Sequence, residues 1–292
     1  FLESPRWRDN RLWISDMHGQ KVHTIDANGN TDMIAEVPNQ PSGLGWLPDG
    51  SLVVVSMLDR KLMKINEGNL SLHSDMSHLT PFQCNDMVIA KDGTAYVGNF
   101  GADNAENNIK KTCLIAVSPE GKAKICASDL LFPNGAVITE DGKELIVGET
   151  FGGTLTSFKI SKPGKLINKS NWANVMPKRY QIITSIIRFL NISLKESSNV
   201  PFPVPDGICL DADYGIWVAS PTTSEVIRYK KGGQITDRIA TPNPAYACML
   251  GGENGKELYI LTAESSVPQF CKENKTGEIY KVSVSNERAG QP

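Results

Sequence analysis

Glu3, Asn85, Asn134 and Asp206 are the side chains whose types and spacing point most directly to chemistry. Each heads a similar run: a polar residue, a short apolar stretch, a Gly-bearing turn, then a second apolar stretch. The clearest copy is Asn134-Gly135-Ala136-Val137-Ile138, followed by Asp141-Gly142 and then Glu144-Leu145-Ile146-Val147. Carboxylate and amide oxygens with no His or Cys among them form a hard-cation donor set. Ca²⁺ suits such a set best, with Mg²⁺, Mn²⁺ or Zn²⁺ as alternatives. Two carboxylates brought together without a cation repel and lose hydration, which raises at least one pKa. The plainer reading is that these Asn and Asp residues only shape turns. That reading suits any one position alone; four oxygen donors at equivalent places in a repeat favour a metal site.

The elements that must position them follow from the repeat. Copies are headed by Glu3, Ser42, Asn85, Asn134, Asp206 and Ala247, at intervals of 39, 43, 49, 72 and 41 residues. A period of roughly 40–50 residues, with several strands per unit, is the signature of a β-propeller. The Asp-Gly pair of the clearest copy reads as a two-residue hairpin turn. Beyond each hairpin lie two more alternating segments, such as Lys21–Asp26 and Thr31–Val37, so each unit holds four antiparallel strands. The chain is therefore expected to be all-β, a single six-bladed propeller over residues 1–292. The last unit lacks an obvious fourth strand after Gly277–Val284, so blade six is expected to show three strands. The first tunnel strand begins within a few residues of Phe1, and the natural protein is expected to carry roughly ten more N-terminal residues, a strand and a turn.

In such a fold the first strand of each blade lines the central tunnel, and its leading residue faces the axis at one mouth. Residues after the second strand face the same end. That makes His18, Asn99 and Glu149 candidates for the pocket wall, against the simpler roles of a satisfied surface His and of strand-end solvation. The long interval marks an insertion, 176–204. Within it Ile182, Ile183, Ile186, Ile187 and Leu190 recur at helical spacing. This amphipathic helix is expected to lie as a lid near the tunnel mouth, the alternatives being a dimer contact or a membrane-touching helix.

Composition excludes other classes. A net charge of −2 gives no electrostatic case for nucleic acid. No apolar run approaches the ~20 residues of a membrane span. There is no Gly-x-Ser-x-Gly elbow for serine hydrolase chemistry. Six cysteines without a Cys-x-x-Cys pair read as reduced, mostly buried thiols of a cytoplasmic protein. Asn-x-Ser/Thr triplets at Asn69, Asn168, Asn191 and Asn274 leave secretion open. The chain is expected to be a monomer or homodimer.

Leu2-Glu3-Ser4-Pro5-Arg6-Trp7, Cys84-Asn85-Asp86, Phe132-Pro133-Asn134-Gly135 and Pro205-Asp206-Gly207-Ile208-Cys209-Leu210-Asp211 resemble the senescence-marker-protein/gluconolactonase family. Trp217-Val218-Ala219 and Leu250-Gly251-Gly252 add to the likeness, which covers nearly the whole chain except the insertion. The resemblance implies a six-bladed propeller with one divalent metal at the tunnel mouth, held by Glu3, Asn134 and Asp206. It places Asn85 where a residue touches the metal, its water or the substrate, and Asp206 where a general base acts. It implies hydrolysis of a small-molecule lactone. Similar sugar-lactone members carry Arg two residues before the Asn at position 85; here Gln83 stands there, which weakens the case for an aldonolactone and admits a less polar ring. Two rival functions remain at this level: a calcium-dependent phosphotriesterase, and a non-catalytic propeller that binds a partner.

Overall fold

The computed structural model describes residues 1–102, 109–181 and 201–292. It forms six antiparallel sheets, each strand pairing with the next in sequence. Their innermost strands are Leu2–Arg8, Pro41–Trp46, Cys84–Ile89, Pro133–Ile138, Ile208–Leu210 and Ala245–Gly251, in blades one to six. Each packs beside the inner strand of the next blade, and Ala245–Gly251 returns to Leu2–Arg8, so the ring closes as a propeller. Blades one to five have four strands; the described residues give blade six three, the number read from its sequence.

Burial follows radial position. Inner and middle strands such as Leu52–Ser56, Cys84–Ile89 and Ile216–Ser220 are buried throughout because neighbouring blades cover both faces. Outermost strands such as Ile235–Ala240 are mostly exposed. The core lies between blades, as where Val53, Val55 and Leu62 of blade two meet Met87, Val97 and Ile115 of blade three.

The hairpin joining the first two strands differs from the two-residue turn expected from Asp-Gly. Gly142 N–H donates to the Thr139 carbonyl at 2.8 Å, and Thr139 N–H to the Glu144 carbonyl at 3.0 Å, which makes a longer loop. Only the glycine takes a positive φ, +70°, while the Asp141 carboxylate accepts the Lys143 N–H at 3.0 Å. Asp49-Gly50 and Asp92-Gly93 repeat this arrangement. Aspartate serves here as a side-chain acceptor for the turn backbone and needs no positive φ of its own.

Two features carried no periodic signal. A short helix, Pro268–Glu273, interrupts blade six. The segment after Ser283 runs across the tunnel end opposite Glu3. It exchanges backbone hydrogen bonds with Ile138 through Gln291, and reaches Leu210 through Ala289 and Gly255 through Arg288. The expected helix bearing Ile182 through Leu190 lies outside the described residues. At the margins of that insertion, residues 178–181 form one helical turn, and the Tyr180 and Phe202 rings meet at 4.6 Å.

Candidate active site at the tunnel mouth

The inner strands are irregular at one recurring place. Pairing with the second strand slips between Glu3 and Arg6, Pro41 and Leu44, Pro133 and Ala136, and Ala245 and Ala247; in blade three the slip falls between Cys84 and Met87. Such a bulge leaves a residue outside the ladder and re-aims its side chain. The leading residues Ser42, Asn85 and Asn134 sit in these slips, and Glu3, paired with Ser15, borders one. In blade five the strand begins at Ile208, just after Asp206.

The result is a side-chain chain around the axis. Ser42 Oγ donates to Asn85 Oδ1 at 3.2 Å, Asn85 Nδ2 to Asn134 Oδ1 at 2.9 Å, and Asn134 Nδ2 to Asp206 Oδ1 at 2.6 Å. Asn134 Nδ2 also reaches Thr150 Oγ1, which donates to the Pro205 carbonyl. Glycine makes this convergence sterically feasible. A Cβ on Gly135 would stand 2.6 Å from both the Asp206 carbonyl and the Ile208 nitrogen.

The equivalent of Gly43, Gly135 and Gly207 in blade three is Asp86, a third buried carboxylate. It accepts from Arg6 Nη2 at 2.7 Å, Met87 N–H at 2.8 Å and Ser4 Oγ at 3.0 Å. Arg6 also donates to the carbonyls of Leu44, Pro5 and Met87. This buried pair ties the inner strands of blades one, two and three together. Sequence reasoning missed it, although a carboxylate at a glycine position of the repeat was the available signal.

Burial first, then repulsion from Asp206 and Asp86, hold the Glu3 carboxyl well above the usual range. Asp206 is likewise raised by burial and by Asp86, against an opposing hydrogen bond from Asn134. The nearby guanidinium, Arg6, is spent on Asp86. Two buried carboxylates that face each other without a side-chain cation are disfavoured unless one is protonated or a cation lies between them. Among the described residues no three His, Cys, Asp or Glu side chains cluster as metal ligands. The set here has two carboxylates and completes itself with amide oxygens, the donor mixture a hard divalent cation accepts.

The other expected residues are placed differently. Asn99 is fully buried; its Nδ2 donates to the Cys113 carbonyl and its Oδ1 accepts from Thr112 Oγ1. Glu149 accepts the Leu131 N–H at 2.7 Å and the Thr156 hydroxyl at 2.5 Å. Both side chains are therefore committed to bracing strand ends. His18 contacts Gln40 Nε2 through Nδ1 at 3.3 Å and sits 5.9 Å from the Phe1 ring, its pKa lowered by burial. Gln83 gives its backbone carbonyl to Phe100 N–H. Phe100, Phe132 and Phe151 form an aromatic cluster, centroids 4.5 and 5.2 Å apart, beside Asn134 in sequence and fold.

All six cysteines are free. Among the described residues no helix is long and apolar enough to cross a membrane.

A family model described as the SMP-30/Gluconolactonase/LRE-like region matches residues 1–264. The chain is 20% identical over 298 residues to the 6-deoxy-6-sulfogluconolactonase of Pseudomonas putida, covering 99% of this chain and 93% of that one. It is 31% identical over 84 residues to regucalcin of Xenopus laevis, a match that spans 27% of this chain and only 28% of that protein's length. The crystal structure of a calcium-binding protein, regucalcin, from Agrobacterium tumefaciens superposes with a TM-score of 0.78 at 18% identity, covering 100% of this chain and 92% of that one. At that identity the likeness is one of fold.

Proposed function

This chain belongs to the SMP-30/gluconolactonase/LRE-like family, and from that premise we propose that it is a hydrolase opening a lactone ring at the tunnel mouth. The observation that carries the reading is the buried chain Asn85–Asn134–Asp206, from three blades, with the buried Glu3 carboxyl of a fourth near enough to Asp206 to be repelled by it, and both carboxyl pKa values raised. Relatives named as a sulfogluconolactonase and as regucalcin, and a neighbour titled a calcium-binding protein, agree with it.

Glu3, Asn134 and Asp206 would hold one divalent cation, Ca²⁺ in this proposal, with Asn85 beside it. When bound, such a cation polarises an ester carbonyl and favours the oxyanion that develops on it. Asp206 is the base: Asn134 holds one carboxylate oxygen, and beside the cation the carboxylate would orient and deprotonate the attacking water. Asn134 in turn is fixed from both sides, by Asn85 and Thr150, so Asp206 is aimed by a braced partner. Asn85, its amide held between Ser42 and Asn134, would stand beside the bound substrate. The absence of an Arg at position 83 and the Phe100–Phe132–Phe151 cluster favour a ring less polar than an aldonolactone.

The test is a panel of aldonolactones, alkyl-substituted lactones and phosphotriesters, assayed with calcium and with chelator. Lactone hydrolysis that chelator abolishes, and that Asp206→Asn loses while remaining folded, is expected. Full activity in Asp206→Asn, or a preference for phosphotriesters over every lactone, overturns the proposal.

A further inference from the structure

The opposite end of the tunnel holds a second chemical environment. The inner strands of blades one to three end there, and the segment after Ser283 crosses beneath blades four to six. Between them lies a cavity of about 380 Å³, within the range that holds a small organic ligand. Its lining includes the cationic side chains Arg6, Arg8, Lys91 and Arg288 and the indoles of Trp7 and Trp46, with no Asp or Glu side chain.

Among the described residues two of those four cations are ion-paired, Arg6 with the buried Asp86 and Arg8 with the exposed Asp9. Lys91 Nζ donates to the Glu140 backbone carbonyl at 2.8 Å, and Arg288 Nη1 to the Trp7 carbonyl at 3.0 Å. Neither makes an ion pair among the described residues. Arg8 meets an exposed Asp9 at 3.3 Å and lies 4.8 Å over the Trp46 ring. Carbonyl oxygens thus fix where Lys91 and Arg288 stand without cancelling their charge. Lys91 and Arg288, exposed at the rim and without an ion pair among the described residues, are cations that an incoming anion can pair with, although Pro292, the last residue of the sequence, shares the lining. The indoles add flat apolar walls; Trp7 is itself held in place by stacking on Tyr259 at 5.2 Å.

We propose that this distal cavity is a binding site for a small organic carboxylate with a flat apolar body, separate from the tunnel mouth that bears Glu3 and Asp206. The carboxylate pairs with Lys91, Arg8 and Arg288, and the body lies against Trp7 and Trp46. The buried Arg6–Asp86 pair stands between this cavity, which Arg6 lines, and the carboxylates of the tunnel mouth, and the two sites are expected to fill independently.

Titration with 1-naphthoate, followed by calorimetry and tryptophan fluorescence, tests the site, with neutral 1-naphthylmethanol as the control. One naphthoate per chain is expected, with the neutral analogue at least about tenfold weaker. Lys91→Gln and Arg8→Gln, both at exposed or half-exposed positions, should each weaken naphthoate several-fold while circular dichroism stays unchanged. Chelator and Asp206→Asn should leave its affinity unaltered, which separates this test from that of the lactonase reading. Equal affinity for the neutral analogue, unchanged affinity in the Arg8→Gln/Lys91→Gln double variant, or competition from the metal end each overturns the proposal.

Discussion

Removing the charge of Asp86 while keeping its shape isolates the buried ion pair that joins blades one and three. Arg6 and Asp86 are both buried, and their shortest contact is 2.7 Å. In Asp86→Asn the amide oxygen can still accept from Ser4 Oγ and Met87 N–H, so the loss is chiefly the counter-charge of a buried guanidinium. Breaking a buried pair from one side costs about 3–5 kcal/mol. The three carbonyls that also hold Arg6 place Asp86→Asn near about 3 kcal/mol. Asp86→Ala strands two further donors and should approach about 5 kcal/mol. Arg6→Met leaves the carboxylate without its counter-charge and takes a side-chain donor from three carbonyls, and should also cost about 5 kcal/mol. The Arg6→Met/Asp86→Asn double variant buries no net charge. It should be at least about 2 kcal/mol less destabilised than the sum of its singles, the mark of a coupled pair. Urea unfolding in chelator, which removes stabilisation by bound metal, reads these differences. With a slope of about 3 kcal/mol per molar urea, Asp86→Asn shifts the midpoint down by about 1 M. A shift under about 0.3 M, or strict additivity in the double variant, refutes the reasoning.

Gly135→Ala forces a Cβ against the backbone of Asp206 and Ile208, so it should cost about 1–3 kcal/mol and, on the proposed function, weaken calcium binding measured by calorimetry; a wild-type melting point would contradict that. Burial pushes the Cys126 thiol and the Tyr96 phenol up to about 12, and Tyr229 higher still. These groups keep their protons in the fold and lose them on unfolding, so stability is complete below about pH 9 and falls as pH rises toward 12. Melting temperatures at pH 8, 10 and 11 in chelator should decrease in that order. At pH 8 Ellman's reagent should label no cysteine of the folded chain rapidly, and all six after unfolding, since Cys84 and Cys126 lie far from their thiolate form and Cys209 and Cys271 are also raised.

The repeat made the fold legible. Its period set the number of blades, and the residue heading each copy lay where the inner strand starts, so the meeting of Asn85, Asn134 and Asp206 could be read without coordinates. What aims those side chains, a slip in strand pairing, leaves no trace in hydrophobic alternation. Asn99 and Glu149 show the limit of position alone. Both follow a second strand as His18 does, yet Thr112 and Cys113 claim one, and Thr156 and Leu131 the other. Which way a strand-end side chain turns depends on partners 7 to 18 residues away, and their pairing register is not written in the local pattern. The segment after Ser283 went unread for a related reason: its hydrogen bonds reach Ile138, Leu210 and Gly255 singly, without a periodic face.

The hydrogen-bonded chain around the axis also has a consequence for how the protein comes to exist. Its links join residues 43, 49 and 72 apart, and Ser4 reaches Asp86 across 82. No hairpin, and no single blade, contains two adjacent members. Each link therefore carries the entropy of closing a long loop before it returns any enthalpy, which makes it a late event in folding. Assembly of the donor set reports completion of the whole circle. A nascent chain, or one nicked and missing a blade, cannot present Glu3 beside Asp206, so capture of a cation there would lock the ring only after every blade has docked.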